Sequence, residues 1–138
     1  MRVDGACHCG QLSFTLETRR SRAEIEPRAC DCAFCVRHGA QCWSDPDGRV
    51  EITVRDESAL QRYRFGQETA DFLLCRRCGG YLGALITAGE MQRATLNLRL
   101  TALRDLSAAV VSYQSETREE RVARRLARWT PARLRITE

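Results

Sequence analysis

Eight cysteines constrain this 138-residue chain more than any other feature. Seven fall into three short clusters: Cys7-His8-Cys9, Cys30-Asp31-Cys32-Ala33-Phe34-Cys35 and Cys75-Arg76-Arg77-Cys78. Cys42 stands apart from them. Met1-Arg2-Val3-Asp4-Gly5 leads to Cys7 without the apolar stretch of a secretory leader, so a cytoplasmic protein with reduced thiols is expected. In that setting clustered cysteines point to metal binding or catalysis rather than to disulfides. No apolar run approaches the ~20 residues of a membrane span. With 43% apolar and 29% charged residues, residues 1–138 read as one folded domain.

Zinc takes four tetrahedral thiolate or imidazole ligands in structural sites, and three protein ligands plus an open position in catalytic ones. Cys7-x-Cys9 can chelate an ion where a tight turn brings its side chains together. Cys75-x-x-Cys78 followed by Gly79-Gly80 has the form of a zinc knuckle, whose glycines let amide N–H groups point at sulfur. Cys30, Cys32 and Cys35 place three ligands within six residues, enough for one ion with a vacancy. The simplest partition gives a closed site of Cys7, Cys9, Cys75 and Cys78 and an open site of Cys30, Cys32 and Cys35. Spacing also allows Cys7 and Cys9 to share an ion with the middle cluster.

Charge has to be read with the thiols in mind. All 22 basic residues are arginine, and the formal net charge is +4. Seven thiolates would remove seven charges and two zinc ions would restore four, leaving about +1. The arginine excess is therefore weak evidence for nucleic-acid binding. Arg76 and Arg77 are expected to neutralise the closed site, and His8 to face solvent. Cys42 is expected to be a small buried hydrophobe, with completion of the second tetrahedron as the alternative. Trp43 and Trp129 read as core or pocket wall.

Alternating apolar residues predict strands at Leu12, Phe14 and Leu16 and at Val50, Ile52 and Val54. Asp56 to Leu60 reads as a helical turn, followed by short strands at Arg62–Phe65, Phe72–Leu74, Tyr81–Thr87 and Thr95–Leu100. A turn or short helix after Cys32 would carry Cys35 back to its neighbours. At the end of the chain, Thr117-x-x-Glu120 predicts a capping box opening a helix over about 116–130. That helix shows Val122, Leu126 and Trp129 on one face, a Glu120–Arg124 pair at i,i+4, and Pro131 as its terminator.

Cys-x-Cys-Gly, then Cys-x-Cys-x-x-Cys with a following glycine, then Phe-Leu-Leu-Cys-x-x-Cys-Gly resemble the glutathione-dependent formaldehyde-activating enzyme (GFA) and centromere protein V family over residues 3–100. The resemblance implies a mainly β, zinc-bearing fold of two facing antiparallel sheets, to which the C-terminal helix is added. It implies two zinc ions per chain, structural at Cys7, Cys9, Cys75 and Cys78 and catalytic at Cys30, Cys32 and Cys35. It also implies a carbon–sulfur lyase acting on a small thiol and aldehyde adduct such as S-hydroxymethylglutathione, made from glutathione and formaldehyde. Where the family has Arg-Arg after the middle triplet, this chain has Val36-Arg37 followed by His38.

From the residues themselves, a three-thiolate zinc suits a substrate thiol held as thiolate beside an aldehyde. Arg37 and His38 could then steer a carboxylate-bearing thiol or exchange protons. The competing reading is a non-enzymatic zinc module that binds a protein partner with both metals structural. A nucleic-acid-binding ribbon fits less well, because the first cluster is Cys-x-Cys rather than a second knuckle.

Overall fold

Strands alternating between core and solvent build the first half of the molecule, a computed structural model that describes residues 1–137. The chain runs through β1 (Arg2–Ala6), β2 (Leu12–Glu17), β3 (Arg28–Cys30), helix α1 (Ala33–His38), β4 (Cys42–Trp43) and β5 (Arg49–Val54). It continues through β6 (Leu60–Tyr63), β7 (Asp71–Cys75), β8 (Tyr81–Ala88), β9 (Met91–Asn97), β10 (Ala109–Val111), helix α2 (Arg118–Arg128) and β11 (Thr130–Ile136). Leu12, Phe14 and Leu16 of β2 face the same core as Val50, Ile52 and Val54 of β5. Each large side chain buried there contributes about 1.5–3 kcal/mol. Among the described residues no helix is long and apolar enough to cross a membrane.

The fold is mainly β with a C-terminal helix, as expected, but its strands are not all antiparallel. Hydrogen bonding runs β1-β2-β5-β11-β9-β4-β3-β10, with β8, β7 and β6 branching from β9 in turn. β10 lies parallel to β3, and β11 parallel to β5. Both strands return after long connections rather than tight hairpins, and such connections permit parallel pairing. The hydrogen-bonded ladder runs through all eleven strands, and β11 links its β1-β2-β5 part to its β9 part. Thr130 and Pro131 pair with β9, and Ala132 to Ile136 pair with β5.

β8 is covered on both sides. Leu82 and Leu85 join the β2/β5 core, while Tyr81, Ala84 and Ile86 join a second core with Cys35, Phe72 and Trp129. Val122 and Leu126 of α2 pack against this second core, as the helix stripe predicted. The capping box forms at Thr117, but Glu120 is spent on it, its carboxylate accepting from the Thr117 amide at 2.9 Å. Arg124 therefore does not make the expected pair with Glu120. It donates to Glu116 instead, at 2.8 and 3.0 Å. The helix also stops earlier than expected, at Arg128, and the chain re-enters the sheet as β11. The strand expected at Thr95–Leu100 ends at Asn97, whose side chain caps a 3-10 turn over Leu98–Leu100.

Glu116 ties the start of α2 to its own first turns through Arg121 and Arg124. Hydrogen bonds from Arg124 hold its carboxyl below the ordinary value of 4.5. A carboxyl lowered in the folded state adds stability that is full above its unfolded value and is lost as pH falls through the folded one. Glu116→Gln is expected to cost about 1 kcal/mol at pH 7 by urea denaturation, with the difference from wild type shrinking as pH falls below 4.5.

Candidate metal centres and an adjoining pocket

The two outer cysteine pairs sit at the tips of two hairpins. Cys7 to Gly10 turn the chain from β1 into β2, and Cys75 to Gly80 turn it from β7 into β8. Gly10 (φ 82°) and Gly79 (φ 79°) adopt left-handed conformations that these turns require. The tips meet so that all four sulfurs lie within 4.8 Å of one another. Cys7 Sγ is 3.8 Å from Cys9 Sγ, and Cys9 Sγ is 3.5 Å from Cys75 Sγ. Four sulfurs held tetrahedrally at ~2.3 Å from a zinc ion would stand roughly 3.8 Å apart, so the donor set fits that ion. The Leu12 amide also donates to Cys7 Sγ at 3.3 Å. The flanking arginines serve the neighbouring turn: Arg77 pairs with Asp56 at 2.7 Å, and Arg76 donates to the Leu60 carbonyl.

The middle triplet forms a second set, with the sulfurs of Cys30, Cys32 and Cys35 within 4.8 Å of one another. Cys30 ends β3, Cys32 is the N-cap of α1, and Cys35 lies one turn into that helix. The Cys35 amide donates to Cys32 Sγ at 3.3 Å, which fixes the turn that returns Cys35 to its neighbours. All eight cysteines are free thiols. The alternative partition, with Cys7 and Cys9 joining the middle set, does not form. Cys42 stands outside the three-sulfur group and lines the space beside it.

Crowding decides how each set holds its protons. Burial pushes Cys7 up to about 11 and raises Cys75. Burial also opposes ionisation of Cys78, but the amides of Cys9 and Gly80 and the thiols of Cys7 and Cys75 outweigh it and bring Cys78 to about 6. In the second set, hydrogen bonds from Cys30 and Cys35 draw Cys32 down to about 2. The same bonds hold Cys30 and Cys35 up. One thiolate in each group is thus sustained by protons on its neighbours, and a cation at the centre would take over that role.

Beside the second set lies a pocket of about 70 Å³, lined by Cys30, Cys35, Cys42, Tyr81, Arg28 and Arg125 among others. β3 places Arg28 and Cys30 on one face, and Cys42 pairs across from Arg28. Burial pushes the Cys42 thiol up to about 12 and the Tyr81 hydroxyl well above 10, so both stay protonated. Arg37 and His38, proposed from sequence, are exposed and line no part of this pocket. Arg37 donates to the Ala33 carbonyl, and His38 Nδ1 lies 2.9 Å from the Phe34 carbonyl oxygen while its ring stacks on Phe34. Sequence reasoning missed Arg28, Tyr81 and Arg125. Arg125 carried a signal, since it falls on the same helical stripe as Val122 and Trp129. Larger open grooves run along β1, β2 and β5 without a cysteine, and a shallow groove of about 280 Å³ also reaches Cys30 and Cys35, between Val36, Gly39 and Arg99.

The chain matches no protein-family model and no curated protein. It is similar to a crystal structure of a Rhodobacter sphaeroides protein, with 30% identity and a TM-score of 0.53, over 77% of this chain and 99% of that one.

Contact between the hairpin tips depends on Gly80. A Cβ there would stand 2.8 Å from Cys7 Cβ, closer than carbon atoms tolerate. Gly80→Ala is expected to push the tips apart, costing about 1–3 kcal/mol in thermal denaturation and weakening metal retention in a chelator challenge. Gly10→Ala should leave the spacing of the tips intact and lose stability through its backbone conformation alone.

Proposed function

This chain belongs to one family with the Rhodobacter sphaeroides protein, and from its own cysteine groups we propose that it is a two-zinc protein whose second site carries out thiol–aldehyde chemistry. The observation that carries the reading is the three-thiol group of Cys30, Cys32 and Cys35, which opens on a pocket rather than on a fourth ligand. Cys7, Cys9, Cys75 and Cys78 would hold a structural zinc that clips the two hairpins. Zinc held by the middle triplet would favour ionisation of a substrate thiol at neutral pH, where a free thiol near ~8.5 is mostly protonated.

The reaction is addition of a thiol to an aldehyde, or its reverse, which is carbon–sulfur lyase chemistry. The sulfur forms the new bond to the carbonyl carbon, the C=O π electrons move to oxygen, and the thiol proton ends on the resulting hydroxyl. Tyr81 supports this role: it lines the pocket beside Cys42, with which its hydroxyl hydrogen-bonds, and it stays protonated, so it can donate to an oxygen that gains charge there. Phe72, Ala84 and Trp129 wall the pocket with apolar surface and limit water. The resemblance to the GFA family supports glutathione as thiol and formaldehyde as aldehyde. A pocket of about 70 Å³ has room only for the thiol end of a tripeptide.

Elemental analysis of protein purified without chelator is expected to give two zinc ions per chain. A metal-free protein would end the reading. Cys78→Ser should damage folding, whereas Cys35→Ser should leave a folded protein with one zinc ion. Equal loss of thermal stability in both variants would favour the partner-binding module. In cobalt-substituted protein the ligand-field bands should shift on addition of glutathione or mercaptoethanol, with apparent affinity rising between pH 6 and 9 as the free thiol ionises. If no thiol shifts the bands, and Cys42→Ala does not restore the response, the enzyme reading is overturned.

A further inference from the structure

Arg125 is a buried cation without an anion. Only 9% of the residue is exposed, and its Nη1 donates to Thr69 Oγ1 at 2.7 Å. The guanidinium lies 4.8 Å from the centre of the Trp129 ring, and its Nε is buried with no hydrogen-bond partner. Glu116, the acid on this side of α2, is already engaged by Arg121 and Arg124. Arg28, in the same pocket, donates to Ser44 Oγ at 2.7 Å and approaches Thr95 Oγ1 at 3.4 Å. Among the described residues neither Arg28 nor Arg125 forms an ion pair, and no carboxylate lines the pocket. Burial and the neighbouring Arg124 and Arg121 lower Arg125 to about 10, which leaves it charged at neutral pH.

A buried charge with only a hydroxyl and a ring face for company is costly to keep out of water. Such a group is retained where something else completes it. Cys30, Cys35 and Cys42 line the same small pocket, so a molecule filling it meets both thiols of the triplet and the guanidinium.

We infer that this pocket selects a substrate with a carboxylate close to its reacting thiol or carbonyl, the carboxylate being held by the Arg125 guanidinium with Arg28 as the second cation. The inference rests on the thiol–aldehyde reading of the second site and replaces glutathione, whose carboxylates lie far from its sulfur, with a shorter acid. A planar carboxylate matches the fork of a guanidinium better than a halide or a neutral hydroxyl does. Both arginines and two of the three thiols line one small pocket, so the carboxylate has to sit a few bonds from the reacting atom, as it does in short mercapto acids and oxo acids. Arg125 is a specificity-determining residue here, and the thiol group is the reactive end.

The test compares mercaptoacetate with 2-mercaptoethanol, two thiols of similar size that differ in charge, on cobalt-substituted protein at low salt. Wild type is expected to bind mercaptoacetate at least roughly tenfold more tightly. Arg125→Gln should bring that ratio close to one and leave the affinity for mercaptoethanol unchanged. A ratio near one in wild type, or a full ratio retained in Arg125→Gln, overturns the inference. So does a variant that only loses metal, because Arg125 would then be a counter-charge for the thiolates. If Arg125→Gln does not fold, Arg125→Lys keeps the charge without the fork and should lower the ratio severalfold; an unchanged ratio again overturns it.

A second arm separates this inference from the metal reading. Calorimetry with acetate should show binding to wild type that Arg125→Gln and Arg28→Gln each weaken, whether or not thiols perturb the cobalt bands. If thiols shift the bands but acetate does not bind, the metal reading stands and the carboxylate site is overturned.

Discussion

The molecule is organised around two hairpin tips whose cysteine sulfurs meet. Cys9 and Cys75 are 66 positions apart in sequence, yet their sulfurs are 3.5 Å apart. Two left-handed glycines make the turns, and the missing side chain at Gly80 lets the tips close. Once they are joined, the β1–β2 hairpin and the β7–β8 hairpin have a fixed separation, and the apolar faces of β2, β5, β8 and β9 fill the space between them. Tyr81 follows Gly80 directly, so the junction that anchors the fold also fixes the first residue of the strand that walls the pocket.

Charge is distributed with similar economy. The sheet face beneath α2 carries thiols, a phenol and apolar side chains, whereas the helix above it is rich in arginine. Glu116 engages two of those arginines at the helix start, and Tyr113 stacks under the guanidinium of Arg124 at 3.6 Å. These contacts set the height and rotation of the helix, and that rotation turns Arg125 inward while Arg118 and Arg128 remain in solvent.

Much of this was legible in the sequence. The cysteine spacings separated the two thiol groups, and period-two alternation located β2 and β5, because a strand with one wet face must alternate, while β7 and β8 showed as short apolar segments on either side of the third cluster. The capping box at Thr117 marked the start of α2 to the residue. Short strands escaped notice: β3, β4 and β10 hold two or three residues each, too few to show a period. β11 was legible and passed over, since Ala132, Leu134 and Ile136 alternate with Arg133 and Arg135 behind a proline that reads as a stop signal. The pocket cations were hidden for a different reason. Arg28 and Arg125 lie 97 positions apart, and only the long returns of the chain bring them to one cavity, while the nearby Arg37 and His38 point the other way along a one-and-a-half-turn helix.

The place of β11 in the ladder has a consequence for how the molecule is made. Its hydrogen bonds join β5 to β9, and it is the last strand of the described chain to leave the ribosome. Until residues 130–136 emerge, β5 and β9 each expose an unpaired edge next to a large apolar face. Such edges template pairing with other chains, and contacts of long sequence separation form slowly. A nascent chain in this state gains protection from early closure of the hairpin tips, because the four thiols are all synthesised by residue 78. Metal supply during translation would then set the share of chains that reach the native ladder before they aggregate, and metal starvation would lower soluble yield more than it lowers the stability of protein already folded.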